Sequence, residues 1–156
     1  MDKIRRAGFV IRETVEDEIV MYTFYKDSCE IGNIQMAKST EMIEQVDDEE
    51  TPVIRLRYIY VEEPYRGKGY SKIMIAYGLC MFREKYPEIQ FSALDDDSDA
   101  ALTPSKNIYW KFGYVPKDTY QNINKTDELE DYAEQTQCEM ILDFESSRFK
   151  KMIRDI

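Results

Sequence analysis

Hydrophobic and polar positions alternate with a period of two along several short segments of the N-terminal half of the chain. Alternation of this kind is typical of strands that bury one face. It predicts a strand at 8–14, and a high content of β-branched and aromatic residues predicts another at 18–26. The strand at 18–26 and a strand at 30–38 form a hairpin with a connection of four or five residues. The clearest strand covers 53–61, where the even-numbered positions are all apolar or aromatic. The acidic segment 39–50 before it is predicted to be a solvated loop.

Farther along the chain, apolar residues recur at spacings of three and four, which is the period of a helix with one buried face. This spacing predicts a helix over 70–86, and Pro87 ends it. The later predicted elements are a strand at 89–94, a short helix at 104–112 with Gly113 at its carboxyl end, an extended piece from Tyr114, a polar helix at 127–134 and a last strand at 139–144. This order predicts an α/β (α+β) fold, and a length of 156 residues suits a single domain over 1–156.

Composition restricts the chemistry that the chain can perform. The sequence holds no histidine, which excludes histidine-based triads and a histidine general base. Its three cysteines lie far apart without a CxxC pair, so we expect no metal site and no disulfide framework. No apolar run approaches the roughly 20 residues that span a bilayer. The N-terminus also lacks a signal-peptide pattern, and a cytoplasmic location is therefore expected.

The chain carries a formal net charge of -10 at pH 7. Such an excess of carboxylates repels phosphate backbones, so we expect no nucleic-acid partner, and the missing apolar segments predict no membrane partner. A cationic partner such as an amine is favoured electrostatically.

Positive charge and glycine are concentrated at one junction of this acidic chain, the segment VEEPYRGKGYSKIM at 61–74. Glycine-rich backbone between a strand and a helix suits an anion, because exposed amides and the helix dipole both attract a phosphate. The segment lacks the GxxxxGK[ST] pattern of the P-loop, and Lys72 stands where the dinucleotide fingerprint requires a third glycine. What remains is a basic loop, RGKGYS at 66–71, after the strand at 53–61.

Two segments resemble the GCN5-related N-acetyltransferases. The loop is similar to that family's [QR]-x-x-G-x-[GA] pattern, with Arg66 first, Gly69 fourth and Ser71 last, where the family has Gly or Ala. The segment NIYWKFGYV is similar to the family's [LI]-Y-x-x-x-G-[FY] segment, with Tyr109 and Gly113 in register.

The resemblance implies a single-domain fold with a central, mostly antiparallel mixed sheet of about six or seven strands, flanked by helices and splayed at the cofactor strand. It implies acetyl-CoA as the cosubstrate and direct attack of a primary amine on its thioester. The residues that it assigns to cofactor binding are Ile59, Tyr60, Val61, Arg66, Gly67, Lys68, Gly69, Tyr70 and Ser71. Tyr109 is implied as the catalytic acid that protonates the departing thiolate. The alternative is a non-catalytic acyl-CoA-binding sensor or scaffold of the same fold.

The general base and the acceptor stay open in the sequence. Many members of the family place a Glu on the cofactor strand where this chain has Arg55, and a guanidinium cannot act as a base. The available carboxylates are Glu62, Glu63 and the cluster 95–97, which could relay a proton; the other candidate is solvent. The acceptor is expected to be a small molecule or peptide with a primary amine, and a homodimer is left open.

Overall fold

The computed structural model describes residues 2–43, 50–96, 107–117 and 138–156, which form seven strands and four helices. The strands are β1 (Phe9–Glu16), β2 (Ile19–Lys26), β3 (Cys29–Glu41), β4 (Thr51–Val61), β5 (Phe91–Asp96), β6 (Val115–Pro116) and β7 (Cys138–Asp143). The helices are α1 (Asp2–Arg6), α2 (Tyr70–Lys85), α3 (Ile108–Phe112) and α4 (Ser147–Asp155), and a 3₁₀ turn lies at Glu63–Tyr65.

The described strands form one sheet with the order β1-β2-β3-β4-β5-β7-β6. The pairs β1–β2, β2–β3, β5–β7 and β6–β7 are antiparallel. Such a sheet with flanking helices confirms the predicted α/β fold class. The single-domain organisation and the splay at the cofactor strand stay predictions. By their contacts the residues divide into two compact units, Met1–Lys38 with Ile54–Ile89 and Ile156, and Ser39–Val53 with Gln90–Asp155.

Two-residue turns join the first three strands. Asp17 and Glu18 connect β1 to β2, Asp27 and Ser28 connect β2 to β3, and all four have φ between 49° and 67°. Two successive residues with positive φ are typical of type I′ turns, whose twist matches that of paired antiparallel strands. The predicted connection of four or five residues is therefore wrong, because the strands pair right up to the turn. Neither turn contains the glycine that normally indicates this geometry.

Helix α2 supplies much of the core of the first unit, and its bounds agree with the predicted helix. Its buried residues are Met74, Ile75, Ala76, Tyr77, Gly78, Leu79 and Phe82. The ring of Tyr77 meets Tyr22 and Phe24 of β2 edge-on, with centroid distances of 5.4 and 5.5 Å. At Gly78 the helix comes so close to β3 that an added Cβ would lie 2.8 Å from the Met36 sulfur. Packing against β2 and β3 therefore sets the position of this helix.

In the second unit, β5 pairs with β7 along its whole length, which confirms the strands predicted at 89–94 and 139–144. One apolar cluster in this unit consists of Ile43, Val53, Ala93 and Ile141, with Phe91 packed against it. Strand β3 reaches Glu41, inside the segment predicted to be a loop, and the predicted helix at 127–134 lies outside the described residues. No helix in the described ranges has the length and apolar character needed to cross a membrane.

Candidate active site

The glycine loop lies between the end of β4 and the start of α2. Gly67 and Gly69 have φ of 75° and 80°, a left-handed conformation that residues with a Cβ adopt at a cost. No described atom lies within 4 Å of the place that a Cβ would take at either glycine. Gly69 directly precedes α2, and no side chain of the described residues caps this helix. The first N–H groups of α2 thus lack both an intrahelical acceptor and a cap, an arrangement that suits an anion.

A groove of about 320 Å³ opens beside this loop. Its lining residues are Ile59, Val61, Tyr65, Arg66, Gly67, Gly69, Tyr70 and Ser71. Seven of the nine residues predicted for cofactor binding therefore share one groove, whereas Tyr60 and Lys68 are not among its described lining residues. Tyr65 was not predicted, although it lies within the same basic segment. The roles of all these residues in binding stay predictions.

Arg66 ties the loop to the end of β4. Its Nε donates a hydrogen bond to the carbonyl oxygen of Val61 at 2.8 Å. Its guanidinium carbon also lies 5.3 Å from the centre of the Tyr60 ring, within the range of a cation–π contact. The Tyr60 ring therefore supports the arginine that ties the loop to β4.

A close approach of β3 fixes the end of β4. A Cβ at Gly32 would lie 2.1 Å from the carbonyl oxygen of Tyr60, and the N–H of Glu62 donates to the carbonyl of Ile31 at 2.8 Å. Because successive strand residues direct their backbone groups to opposite sides, the N–H of Val61 points away from β3. An edge-pairing ligand requires such a group. Sequence reasoning missed Gly32, although an isolated glycine in a predicted strand signals a close backbone approach.

Tyr109 lies in the second unit on α3, a helix of five residues whose backbone is held at both ends. The N–H of Tyr109 donates to Asn107 Oδ1 at 2.9 Å, and its carbonyl accepts from the N–H of Tyr114 at 3.1 Å. Gly113 has φ of 109° and donates its N–H to the carbonyl of Trp110 at 2.9 Å. These two carboxyl-terminal bonds form a Schellman motif. The helix end predicted at Gly113 is confirmed.

The side chain of Tyr109 packs edge-on against Tyr114, with ring centres 6.1 Å apart. Tyr114 is fully buried, and its hydroxyl hydrogen-bonds with the hydroxyl of Ser92 at 2.7 Å. Burial raises the pKa of Tyr109, and the negative charge of Asp96 raises it further. A phenol with a raised pKa keeps its proton at neutral pH, so Tyr109 has the protonation state that a general acid needs.

The acidic cluster that was considered as a proton relay is divided in the structure. Asp95 is exposed, and Asp97 lies outside the described residues. Asp96 is only 6% exposed, and its Oδ2 accepts a hydrogen bond from Asn107 Nδ2 at 2.9 Å. Asn107 was not singled out in the sequence, although Asn before a helix is a common capping signal.

Comparison of the sequence with protein-family models and with curated proteins finds no match. Comparison of the structure with solved structures finds similar folds. The chain is similar to a protein in the KacTA–DNA complex, with a TM-score of 0.57 and 13% identity over 91% of this chain and 77% of that one. It is similar to a mutant AtaT toxin bound to the C-terminus of the antitoxin AtaR and acetyl-CoA, with a TM-score of 0.56 and 9% identity over 93% and 96%.

A third similar structure is the PaiA N-acetyltransferase from Thermoplasma acidophilum in complex with coenzyme A. Its TM-score is 0.50 at 17% identity, over 81% of this chain and 61% of that one. At such identities the likeness establishes the fold. The chain has the fold of the GCN5-related N-acetyltransferases, as the two sequence segments implied.

The expectation that nucleic acid is excluded as a partner is wrong. One protein of this fold is solved with DNA, and AtaT is also solved with acetyl-methionyl-tRNAfMet, at a TM-score of 0.50 and 12% identity over 64% of each chain. The expectation relied on the net charge of the whole chain. Nucleic acid responds to the local distribution of charge, so an acidic total does not exclude it.

We expect the substitution Gly32→Ala to destabilise the pairing of β3 with β4. The new Cβ would lie 2.1 Å from a backbone carbonyl oxygen, which cannot rotate away as a side chain can. Overpacking of this kind costs about 1–3 kcal/mol, which urea unfolding measures. Gly78→Ala is the matched control, because its closest contact is the flexible end of Met36 and alanine favours a helix. Equal stability of the two variants would contradict the close approach.

Proposed function

We propose that this protein is an acetyl-CoA-dependent N-acetyltransferase that transfers the acetyl group to a primary amine. The observation that carries the proposal is the loop between β4 and α2. Three features occur together there. They are two glycines with left-handed φ, a helix without a side-chain cap among the described residues, and a groove lined by residues of β4, the loop and α2. The shared fold with an N-acetyltransferase in complex with coenzyme A supports the same ligand.

The groove residues fit coenzyme A by their backbone. The amides at Gly67, Gly69 and the start of α2 would receive the pyrophosphate, because no Cβ stands in front of either glycine. The edge of β4 near Val61 would pair with the pantetheine arm as an added strand does. Arg66 holds the loop in register with that strand. When bound, acetyl-CoA supplies an activated acetyl thioester.

Tyr109 is the proposed general acid. Its phenol is mostly buried and keeps its proton at neutral pH, because burial and the charge of Asp96 both raise its pKa. In this role the Tyr109 hydroxyl donates its proton to the thiolate as the amine displaces it.

Solvent is the proposed acceptor of the proton that the amine loses. Asp96 is buried and its Oδ2 is bonded to Asn107, whereas Asp95 is exposed to water. Arg55 occupies the position on β4 where many N-acetyltransferases of this fold have a glutamate. A guanidinium is already protonated and cannot accept the proton of the amine.

The acceptor panel should span three kinds of primary amine: small polyamines and amino acids, peptide N-termini, and aminoacyl-tRNA. The last kind is included because AtaT, which shares the fold, is solved with acetyl-methionyl-tRNAfMet. The second candidate function is a non-catalytic acyl-CoA sensor or scaffold. Binding of coenzyme A without thiol release on the whole panel would favour it.

We expect Gly69→Glu to abolish coenzyme A binding in titration calorimetry. A carboxylate would stand where the pyrophosphate has to approach the backbone. Gly8→Glu is a matched control, because Gly8 also has a left-handed φ, 95°, and open space around its Cβ position. The control carries the same strain and charge outside the groove and should bind normally. Unchanged affinity of Gly69→Glu would remove the loop from the site.

We expect Tyr109→Phe to lower kcat by about 10²-fold, the usual scale of acid–base contributions. The substitution keeps the ring that packs on Tyr114 and removes only the hydroxyl, so the affinity for coenzyme A should not change. Tyr86→Phe, which removes a hydroxyl from a ring packed on Phe82, is the control and should retain full turnover. Normal turnover by Tyr109→Phe would make Tyr109 a packing residue.

With solvent as the proton acceptor, kcat/KM should rise with pH up to the pKa of the free acceptor amine, since only the neutral amine attacks. Asp95→Asn should leave this limb of the pH profile in place. A limb far below the pKa of the amine would instead indicate a carboxylate base, and Asp95 would be that base if its substitution moved the limb upward.

A further inference from the structure

Helix α3 is too short to hold its own conformation. It has five residues, and a helix of this length is unstable in water without tertiary support. The bond from the N–H of Lys111 to the carbonyl of Asn107, at 3.3 Å, belongs to its single full turn. The location of Tyr109 is therefore set by the groups that hold the two ends of the helix. The carboxyl end is held by Gly113 and Tyr114, as described above.

At the amino end, the side chain of Asn107 makes three hydrogen bonds to other described residues. Asn107 Oδ1 accepts from the N–H of Tyr109 at 2.9 Å and from the N–H of Trp110 at 3.1 Å. The other half of the same amide, Nδ2, donates to Asp96 Oδ2 at 2.9 Å. Asp96 is the last residue of β5 and is paired with Cys138 of β7. A continuous chain of bonds therefore runs from the sheet through Asp96 and Asn107 to the backbone of Tyr109.

We propose that Asn107 and Asp96 are positioning residues that fix the Tyr109 hydroxyl where it can donate its proton. This inference rests on the proposed function, in which Tyr109 is the general acid. A cap alone does not require Asn, because Ser, Thr and Asp cap helices about equally well. Asn carries its acceptor and its donors on two separate atoms, so Oδ1 caps α3 while Nδ2 binds the carboxylate of Asp96. Ionised Asp has no donor, and the hydroxyl of Ser or Thr would have to make both contacts with one oxygen.

In the described part of the chain, charged or titratable groups lie on α3 and on the elements that contact it. Asp96 lies on β5, Tyr114 follows α3, and Lys111 is on the same helix. From α4, Arg148 stacks over the ring of Trp110 at 3.8 Å, and burial lowers its pKa to about 10. Asp96 supplies the negative charge that helps Tyr109 to keep its proton.

The decisive variants exchange the two partners. Asn107→Asp keeps the oxygen that caps α3, but it places a second carboxylate next to that of Asp96. The two carboxylates repel each other and cannot share a hydrogen bond, so the link from α3 to β5 is lost. The double variant Asp96→Asn with Asn107→Asp restores the link with reversed polarity, because the new amide at 96 can donate to the new carboxylate at 107. We expect kcat to fall by about 10²-fold in the single variant, the scale of a misplaced catalytic group. The KM for acetyl-CoA should stay unchanged, and the double variant should recover most of kcat.

Ser146→Ala is the matched control for loss of a helix cap. Ser146 Oγ accepts from the N–H of Phe149 at the start of α4, at 3.4 Å, so this variant removes a cap from a helix that does not carry Tyr109. Its melting temperature should fall while kcat stays normal.

Asp96→Asn alone keeps an oxygen that can accept a hydrogen bond from Asn107 and removes the negative charge. It should move the alkaline loss of kcat to lower pH, since the pKa of Tyr109 would fall.

A second readout separates this inference from the proposed function. This readout is an NMR spectrum of protein labelled at the tyrosine ring carbons. The NMR signal that is lost in Tyr109→Phe identifies Tyr109 among the 12 tyrosines. That signal should shift in Asn107→Asp and return in the double variant, even in a preparation that shows no turnover. An unshifted Tyr109 signal, or an unchanged kcat in folded Asn107→Asp, would overturn the positioning role. Absence of thiol release in the wild type would instead overturn the proposed function, and a shifted Tyr109 signal would then show that Asn107 positions Tyr109 without a catalytic role.

Discussion

The amino end of α2 carries backbone N–H groups that neither the helix nor a side-chain cap among the described residues satisfies. An uncapped end of this kind destabilises a helix, and α2 tolerates it because the rest of the helix is deeply buried against β2 and β3. Tyr77 between two aromatic rings and Gly78 against Met36 fix its axis. The first N–H groups of α2 therefore have a fixed position, and this position determines the shape of the groove beside them.

The shape of the groove depends on the position of the backbone more than on the identity of the side chains. Gly32 lets β3 approach the carbonyl of Tyr60, and Arg66 binds the carbonyl of Val61, so both contacts hold the main chain of β4. A ligand that binds amides and a strand edge places few demands on side chains. This explains how the fold can be shared at identities of 9–17% with the solved structures.

Tyr109 depends on a different kind of support. Its helix is held by the amide of Asn107 at one end and by a Schellman motif with Gly113 at the other. The carboxylate of Asp96 both anchors Asn107 and raises the pKa of the phenol. Within the acidic cluster, burial gives Asp96 a role that its exposed neighbour Asp95 does not share. The whole-chain charge was equally uninformative about nucleic acid, because electrostatic effects depend on where each charge lies.

Periodicity along the chain was sufficient to predict α2, β4, β5 and β7, because each buries a face or a stripe whose spacing is visible in one dimension. Local chemistry also identified the glycine loop and the end of α3 at Gly113, since glycine adopts left-handed backbone at the lowest cost. The two-residue turns without glycine escaped prediction because sheet pairing compensates their positive φ. Gly32 and the link from Asp96 through Asn107 escaped it because each joins residues far apart in the sequence. Only the tertiary structure decides which backbones touch and which carboxylate is buried, since contact and desolvation are properties of the folded chain.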